Sequence, residues 1–439
     1  MAAKLPEVYA AICMVLLFAP VVLSQGTQIP TERSQVNSWF ASIIKPAKER
    51  ARTLDPDVAK AEANPKIIKV KKGGGGDFDT ITKAIASVPI GNNKRVIISI
   101  APGVYKEKIT IDRNKPFITL MGNPKNMPNV TFDGTAKKYG TVDSATIIAF
   151  SSYFVAAYLN IVNSSPHPDG KMQGAQAVAL RVAGDRSAIY NCNLYGFQDT
   201  LCDDRGNHFY KNCNIRGTVD FIFGRGKSIY LDSDLYVVPD PRLTVITAQA
   251  RESSSEDTGY SFVHDKVYGP AEGAFLGRAW RSSPRVVFAY SDMGKVVNPA
   301  GWSHNNQPDR AKTVYYGEYK CIGEGSSPSK RVPFAKKLTD KEAKQFITLD
   351  FIETIDDSDD EDDSVEVEDG DGESNLYIWT ALVVTTWTLR GAKDMGLGNE
   401  SVSSRKLRIV DLPLMLKAAT SCARGTIYGI GKALRKLWK

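Results

Sequence analysis

Histidine is scarce in this chain, with four in 439 residues, at positions 167, 208, 264 and 304, and none at metal-ligand spacing. That argues against a zinc centre or a Ser-His nucleophile. Cysteine is scarce too. Six residues are no disulfide framework in a chain of this length. Long apolar runs are also missing, since the two candidates, residues 9–23 and 376–389, fall short of the roughly 20 residues that a bilayer span requires.

What is present begins with compartment. Lys4 precedes the apolar run, and Val22 and Ser24 offer small residues for cleavage, so residues 1–24 read as a secretory signal peptide. Sequons at Asn129, Asn163 and Asn399 accord with secretion and glycosylation. Residues 25–66 are polar, with scattered proline, and read as a linker. Charge is unevenly distributed. Residues 356–373 hold twelve acidic side chains and no basic one, residues 374–439 carry net +8, and residues 1–355 carry net +11. A basic main domain favours an anionic partner, either nucleic acid or an acidic polysaccharide. The acidic segment 352–375 is expected to be disordered. The extension 376–439 has no assignable role, and membrane association is not expected of it.

Between these flanks the chain repeats itself. Tyr190-Asn191-Cys192-Asn193-Leu194 recurs 21 residues later as Lys211-Asn212-Cys213-Asn214-Ile215, and a weaker copy begins at Leu231. Short apolar stretches at this period, separated by polar turns, predict an all-β fold of stacked coils, a parallel β-helix. Expected strands include 96–100, 108–111, 117–121, 146–150 and 155–161, continuing to about Val314. Short helices cap the stack. One starts at an Asp77 N-cap and carries Phe78, Ile81, Ile85 and Val88, and the other follows the capping box Thr339-x-x-Glu342. Cys192 and Cys213 share a register, which fits either a bridge between coils or packing as small apolar groups; packing is the favoured reading.

Asp199 and Asp220 are also 21 residues apart. On adjacent coils their backbones would sit about 4.8 Å apart. Two neighbouring carboxylates cost stability unless they do chemistry. Around them lie five clusters: Gly103-Val104-Tyr105-Lys106-Glu107, Gln176-Ala177-Val178-Ala179-Leu180, Gln198-Asp199-Thr200-Leu201, Asp220-Phe221-Ile222-Phe223-Gly224 and Leu276-Gly277-Arg278-Ala279-Trp280. In this order they resemble the signature segments of plant pectin methylesterases (pectinesterases), over about residues 67–351.

The resemblance implies a right-handed parallel β-helix and a secreted, cofactor-free, monomeric esterase. Such an enzyme would remove methyl groups from homogalacturonan (pectin) in the cell wall, release methanol, and be open to proteinaceous pectinesterase inhibitors; nucleic acid drops out as a partner. It further implies that Asp220 is the nucleophile, Asp199 the general acid/base, and Gln176 and Gln198 the oxyanion stabilisers. Thr141, Gln176, Arg278 and Trp280 become substrate contacts. Taken singly, each has a plainer reading: Gln176 in a hydrogen-bonded ladder, Asp199 ending a turn, Trp280 covering an edge. Tyr105 and Glu107 read as structural.

The chain departs from the pattern in three places. Ala279 stands where many relatives have proline. The roughly 40 residues after the signal peptide are too few for an inhibitor-like four-helix pro-region. Phe351-Ile352 runs into the acidic tract without the usual Gly-x-x-Trp turn. Two other readings compete. A retaining glycosidase also pairs carboxylates, but has no carbonyl oxyanion for two glutamines to stabilise. A non-catalytic wall-binding module has no use for the aspartate pair.

Overall fold

The computed structural model describes residues 27–43, 54–270 and 272–353. The expected signal peptide, the Asn399 sequon, the acidic tract beyond Glu353 and the C-terminal extension lie outside the described residues.

The strands form three parallel sheets, one of eleven strands and two of eight. Apart from the two edge strands of the largest, each sheet takes every third strand in chain order, as the winding of a right-handed parallel β-helix requires. The largest sheet holds 96–100, 118–121, 155–157, 187–190, 207–211, 227–231, 259–263, 285–289 and 315–319, with 66–70 and 335–337 at its edges.

The repeated doublets mark the sharp corner of each coil. Asn191, Asn212 and Asp232 take φ of 50°, 53° and 52°, left-handed bends that Asn and Asp tolerate better than most residues. The next strand then pairs Asn193 with Asn160 and Asn214, and Asn193 Nδ2 donates to Asn160 Oδ1 at 2.6 Å. The same corner explains why the expected strand 155–161 is really two, 155–157 and 160–163, broken at Tyr158 (φ 57°).

Inward-facing side chains stack coil on coil. Tyr210, Tyr230, Phe262 and Phe288 form a column with ring centres 4.4 Å apart at each step. Each such burial contributes about 1.5–3 kcal/mol. Cys192 and Cys213 are buried free thiols, in accord with packing over bridging. A charged cluster interrupts this interior around His208. His208 Nδ1 meets Asp203 Oδ1, His208 Nε2 meets Gly184 O at 3.1 Å, and Tyr230 OH donates to Asp203 Oδ2 at 2.6 Å. An imidazole that donates from both nitrogens is a cation. The Asp203 carboxylate accordingly raises its pKa against the opposing effect of burial.

The ends differ from expectation. The first cap is the helix Ile81–Ala86, with Thr80 as its N-cap; Asp77 instead accepts from Lys69 N at 2.7 Å in the turn before it. Glu107 completes that cap, accepting from Ile81 N and Thr82 N, while Tyr105 is buried with its hydroxyl on Ala101 O; both are structural. The capping box at Thr339 and Glu342 is present in both directions. Strands continue past Val314, to 315–319 and 335–337.

Residues read as linker form helices Arg33–Ile43 and Pro56–Glu62. The first lays Val36 and Phe40 on the outer face of the large sheet, against Phe209 and Tyr190. The residues before it pair with the C-terminal cap through Ile29 N to Ile347 O at 2.8 Å and Thr27 Oγ1 to Thr348 Oγ1 at 2.8 Å.

Candidate active site

Asp199 and Asp220 sit at one structural position on successive coils. Their strands pair Leu201 with Ile222, so the residues two before each are equivalent, and Asp199 N donates to Val219 O at 3.0 Å. Both occupy left-handed bends, with φ of 65° and 48°, that lift the side chain off the strand that follows. Asp199 is 8% exposed and Asp220 5%.

Arg278, at the end of strand 275–278 two coils further along that sheet, reaches back over the pair. Its Nε donates to Asp220 Oδ1 at 2.7 Å and its Nη2 to Asp220 Oδ2, a two-pronged grip. The guanidinium carbon lies 4.9 Å from the ring centre of Trp280, which is 48% exposed. Among the described residues no side chain donates a hydrogen bond to the Asp199 carboxyl.

This asymmetry separates the two acids. Burial pushes Asp199 well above the usual carboxylate range, and the charge of Asp220 adds to the rise against the pull of Arg278. Burial raises Asp220 as well, but the hydrogen bonds and charge of Arg278 oppose it. Asp220 therefore ionises first, and Asp199 keeps the proton. Arg278 stays charged, because its carboxylate partners outweigh burial.

The glutamines lie on adjoining backbone segments. Gln198 precedes Asp199, and its carbonyl accepts from Ala177 N at 3.2 Å, joining it to the Gln176 segment; Gln176 O accepts from Ala136 N at 2.8 Å. Both side chains are half-buried, and neither amide is engaged by another described residue, so the plain ladder reading of Gln176 does not hold for its side chain. Thr141 starts the short turn Val142–Ser144, which Ser144 ties to the Gln176 segment by accepting from Val178 N at 3.0 Å. A buried asparagine ties these loops together: Asn163 Nδ2 donates to Gly134 O, Ser144 O and Val178 O. With its amide so engaged and 3% exposed, Asn163 is no glycan acceptor in the folded chain, contrary to the sequon reading.

Arg225 and Arg281 lie at solvated surface and pair with Glu256 and Glu252, while Arg285 is largely buried and pairs with Asp257. Asn305 was not picked out by any motif, yet Arg278 Nη1 donates to its Oδ1 at 3.1 Å. Its only trace in the sequence is an Asn-Asn pair in a turn. Among the described residues no cluster of three or more His, Cys, Asp or Glu could hold a metal ion.

A parallel β-helix with two buried carboxyls on successive coils, one of them gripped by an arginine, and with two unengaged amides on adjoining segments, has the parts for acyl transfer at a carbonyl. The Pectinesterase family model matches residues 67–355. "Probable pectinesterase 49" of Arabidopsis thaliana is 53% identical over 345 residues, covering 78% of this chain and 95% of that relative. The solved structure of pectin methylesterase from carrot superposes with TM-score 0.60 at 32% identity, covering 64% of this chain and 90% of the other. A pectin methylesterase solved in complex with a hexasaccharide superposes with TM-score 0.55 at 28% identity, covering 65% and 96%. This chain belongs to the pectinesterase family of ester hydrolases.

Proposed function

We propose that the enzyme demethylesterifies pectin through Asp220 as nucleophile and Asp199 as general acid and then base. The observation that carries this is the single arginine, which grips one member of a buried carboxyl pair and leaves the other to hold the proton. An Asp220 oxygen attacks the methyl-ester carbonyl carbon. The Gln176 and Gln198 amides donate to the oxyanion, each such donor being worth about 3–4 kcal/mol. As the tetrahedral species collapses, Asp199 gives its proton to the departing methoxide, and methanol leaves. Water then attacks the acyl-enzyme, Asp199 takes the proton back, and Asp220 is released with a free uronate. Thr141, Gln176, Arg278 and Trp280 contact the sugar chain, Trp280 by offering an exposed ring face for stacking.

On the same reading the protein is secreted to the cell wall through residues 1–24. It works as a monomer, since both carboxylates, the arginine and both amides come from one chain. The relative solved with a hexasaccharide supports an oligosaccharide substrate in the cleft.

Methanol release from highly methylated pectin, with chain length unchanged, is the expected activity, and Asp220→Ala should abolish it. Shortened chains would favour a glycosidase. Unaltered methanol release by the variant would remove Asp220 from its role.

A further inference from the structure

Three observations meet beside Arg278. The first is at position 279, where alanine leaves a backbone N–H free to donate. Proline has no backbone N–H. Ala279 N does donate, to Ser303 O at 2.9 Å, which adds a rung beyond the paired residues Gly277–Trp302 and Arg278–Ser303.

The second is the loop that this rung anchors. Asn305 and Asn306 follow with φ of 57° and 56°, a pair of left-handed residues that turns the chain back toward the cleft. Asn305 N donates to Ser303 Oγ at 3.0 Å, and Arg310 Nη1 clamps the other side through Ala279 O at 2.6 Å and Trp280 O at 2.9 Å.

The third is the contact that results. Arg278 spends Nε and Nη2 on Asp220, and its Nη1 donates to Asn305 Oδ1 at 3.1 Å. A planar guanidinium held from Nε, Nη1 and Nη2 has no remaining freedom to twist about its stem. The Asn305 acceptor is neutral, so it orients the cation without competing for its charge, as a carboxylate there would.

We propose that Asn305 is a positioning residue: held by the rung that Ala279 makes to Ser303, its amide oxygen fixes the plane of Arg278 and thereby the Asp220 carboxylate that Arg278 grips. This rests on the function proposed above and adds to it a role for the backbone rung at position 279.

The experiment is the pH profile of methanol release by wild type, Asn305→Ala, Asn305→Asp, Ala279→Pro and the Asn305→Ala/Ala279→Pro double variant. Asp220→Ala is run alongside, and unfolding midpoints are recorded. Loss of a hydrogen bond to a charged group should lower kcat of Asn305→Ala by about tenfold, with KM little changed and the unfolding midpoint retained. The acidic limb of kcat/KM should move to higher pH, because a looser Arg278 favours the ionised nucleophile less. Asn305→Asp restores the acceptor but draws on the cation's charge, so it should recover kcat at the optimum and still shift the acidic limb upward. Ala279→Pro should reproduce the Asn305→Ala profile, and the double variant should be no worse than the poorer single.

A wild-type kcat and acidic limb in Asn305→Ala, with Asp220→Ala inactive, would overturn this inference and leave the nucleophile assignment standing. Additive losses in the double variant would separate Ala279 from Asn305 and overturn their coupling. An active Asp220→Ala would overturn the underlying reading, and this inference with it.

Discussion

Asp199 and Asp220 share a bend, a register and a depth of burial, and differ in one respect: only Asp220 has a cation in bonding contact. Because folding raises the Asp199 pKa, the native state binds its proton more tightly than the unfolded chain does. Stability from this group is full at low pH and is lost as pH climbs from the ordinary carboxylate value through the raised one. Asp199→Asn, neutral at every pH, should therefore raise stability near pH 7 by about 0.5–2 kcal/mol, the common range for relieving a strained functional site. The same variant should lose methanol release. A chemical-denaturation midpoint that fell would show that the carboxyl is not under electrostatic strain. On the proposed roles, Asp220 acts ionised and Asp199 protonated, so kcat/KM should be bell-shaped, with Asp220 governing the acidic limb.

At the scale of strands and helices, aromatic columns hold the coils in register. Phe262 stacks on Tyr230 below and Phe288 above, fully buried, so Phe262→Ala should cost about 3–5 kcal/mol in denaturant unfolding. A cost under about 1 kcal/mol would mean that the column packs loosely. Much of this level was legible beforehand. The 21-residue interval, the Asn-Cys-Asn doublets and the alternating apolar stretches encode a coil length, and coil length alone puts the two aspartates side by side. The helix Arg33–Ile43 was missed although Val36, Trp39, Phe40 and Ile43 stand at helical spacing; the polar, proline-dotted surroundings obscured four apolar residues. The break at Tyr158 leaves no mark in the pattern, because nothing in an aromatic side chain announces a left-handed bend. Asn305 and Asn163 were out of reach for a different reason. Their partners lie 27 residues away for Asn305 and 15, 19 and 29 for Asn163, on other coils, and no local pattern records such contacts.

For the whole molecule, charge and substrate change together. Residues 1–355 carry net +11, and each turnover converts a neutral ester into a carboxylate. The attraction between enzyme and polymer should then depend on salt, since screening shortens from about 30 Å at 0.01 M to about 3 Å at 1 M. KM for partly de-esterified pectin should rise by about tenfold across that range, while a small neutral methyl ester should show little change. Equal salt responses for the two substrates would remove the field of the domain from substrate capture.

The clasp between Thr27 and Thr348 has one further consequence. Residues 321 positions apart in sequence are neighbours in space, so the coil stack is nearly a closed loop of covalent chain. A gene rearranged to fuse these two points through a short glycine-serine bridge, and to open at the exposed Lys125 turn, should yield a circular permutant that still assembles both carboxylates.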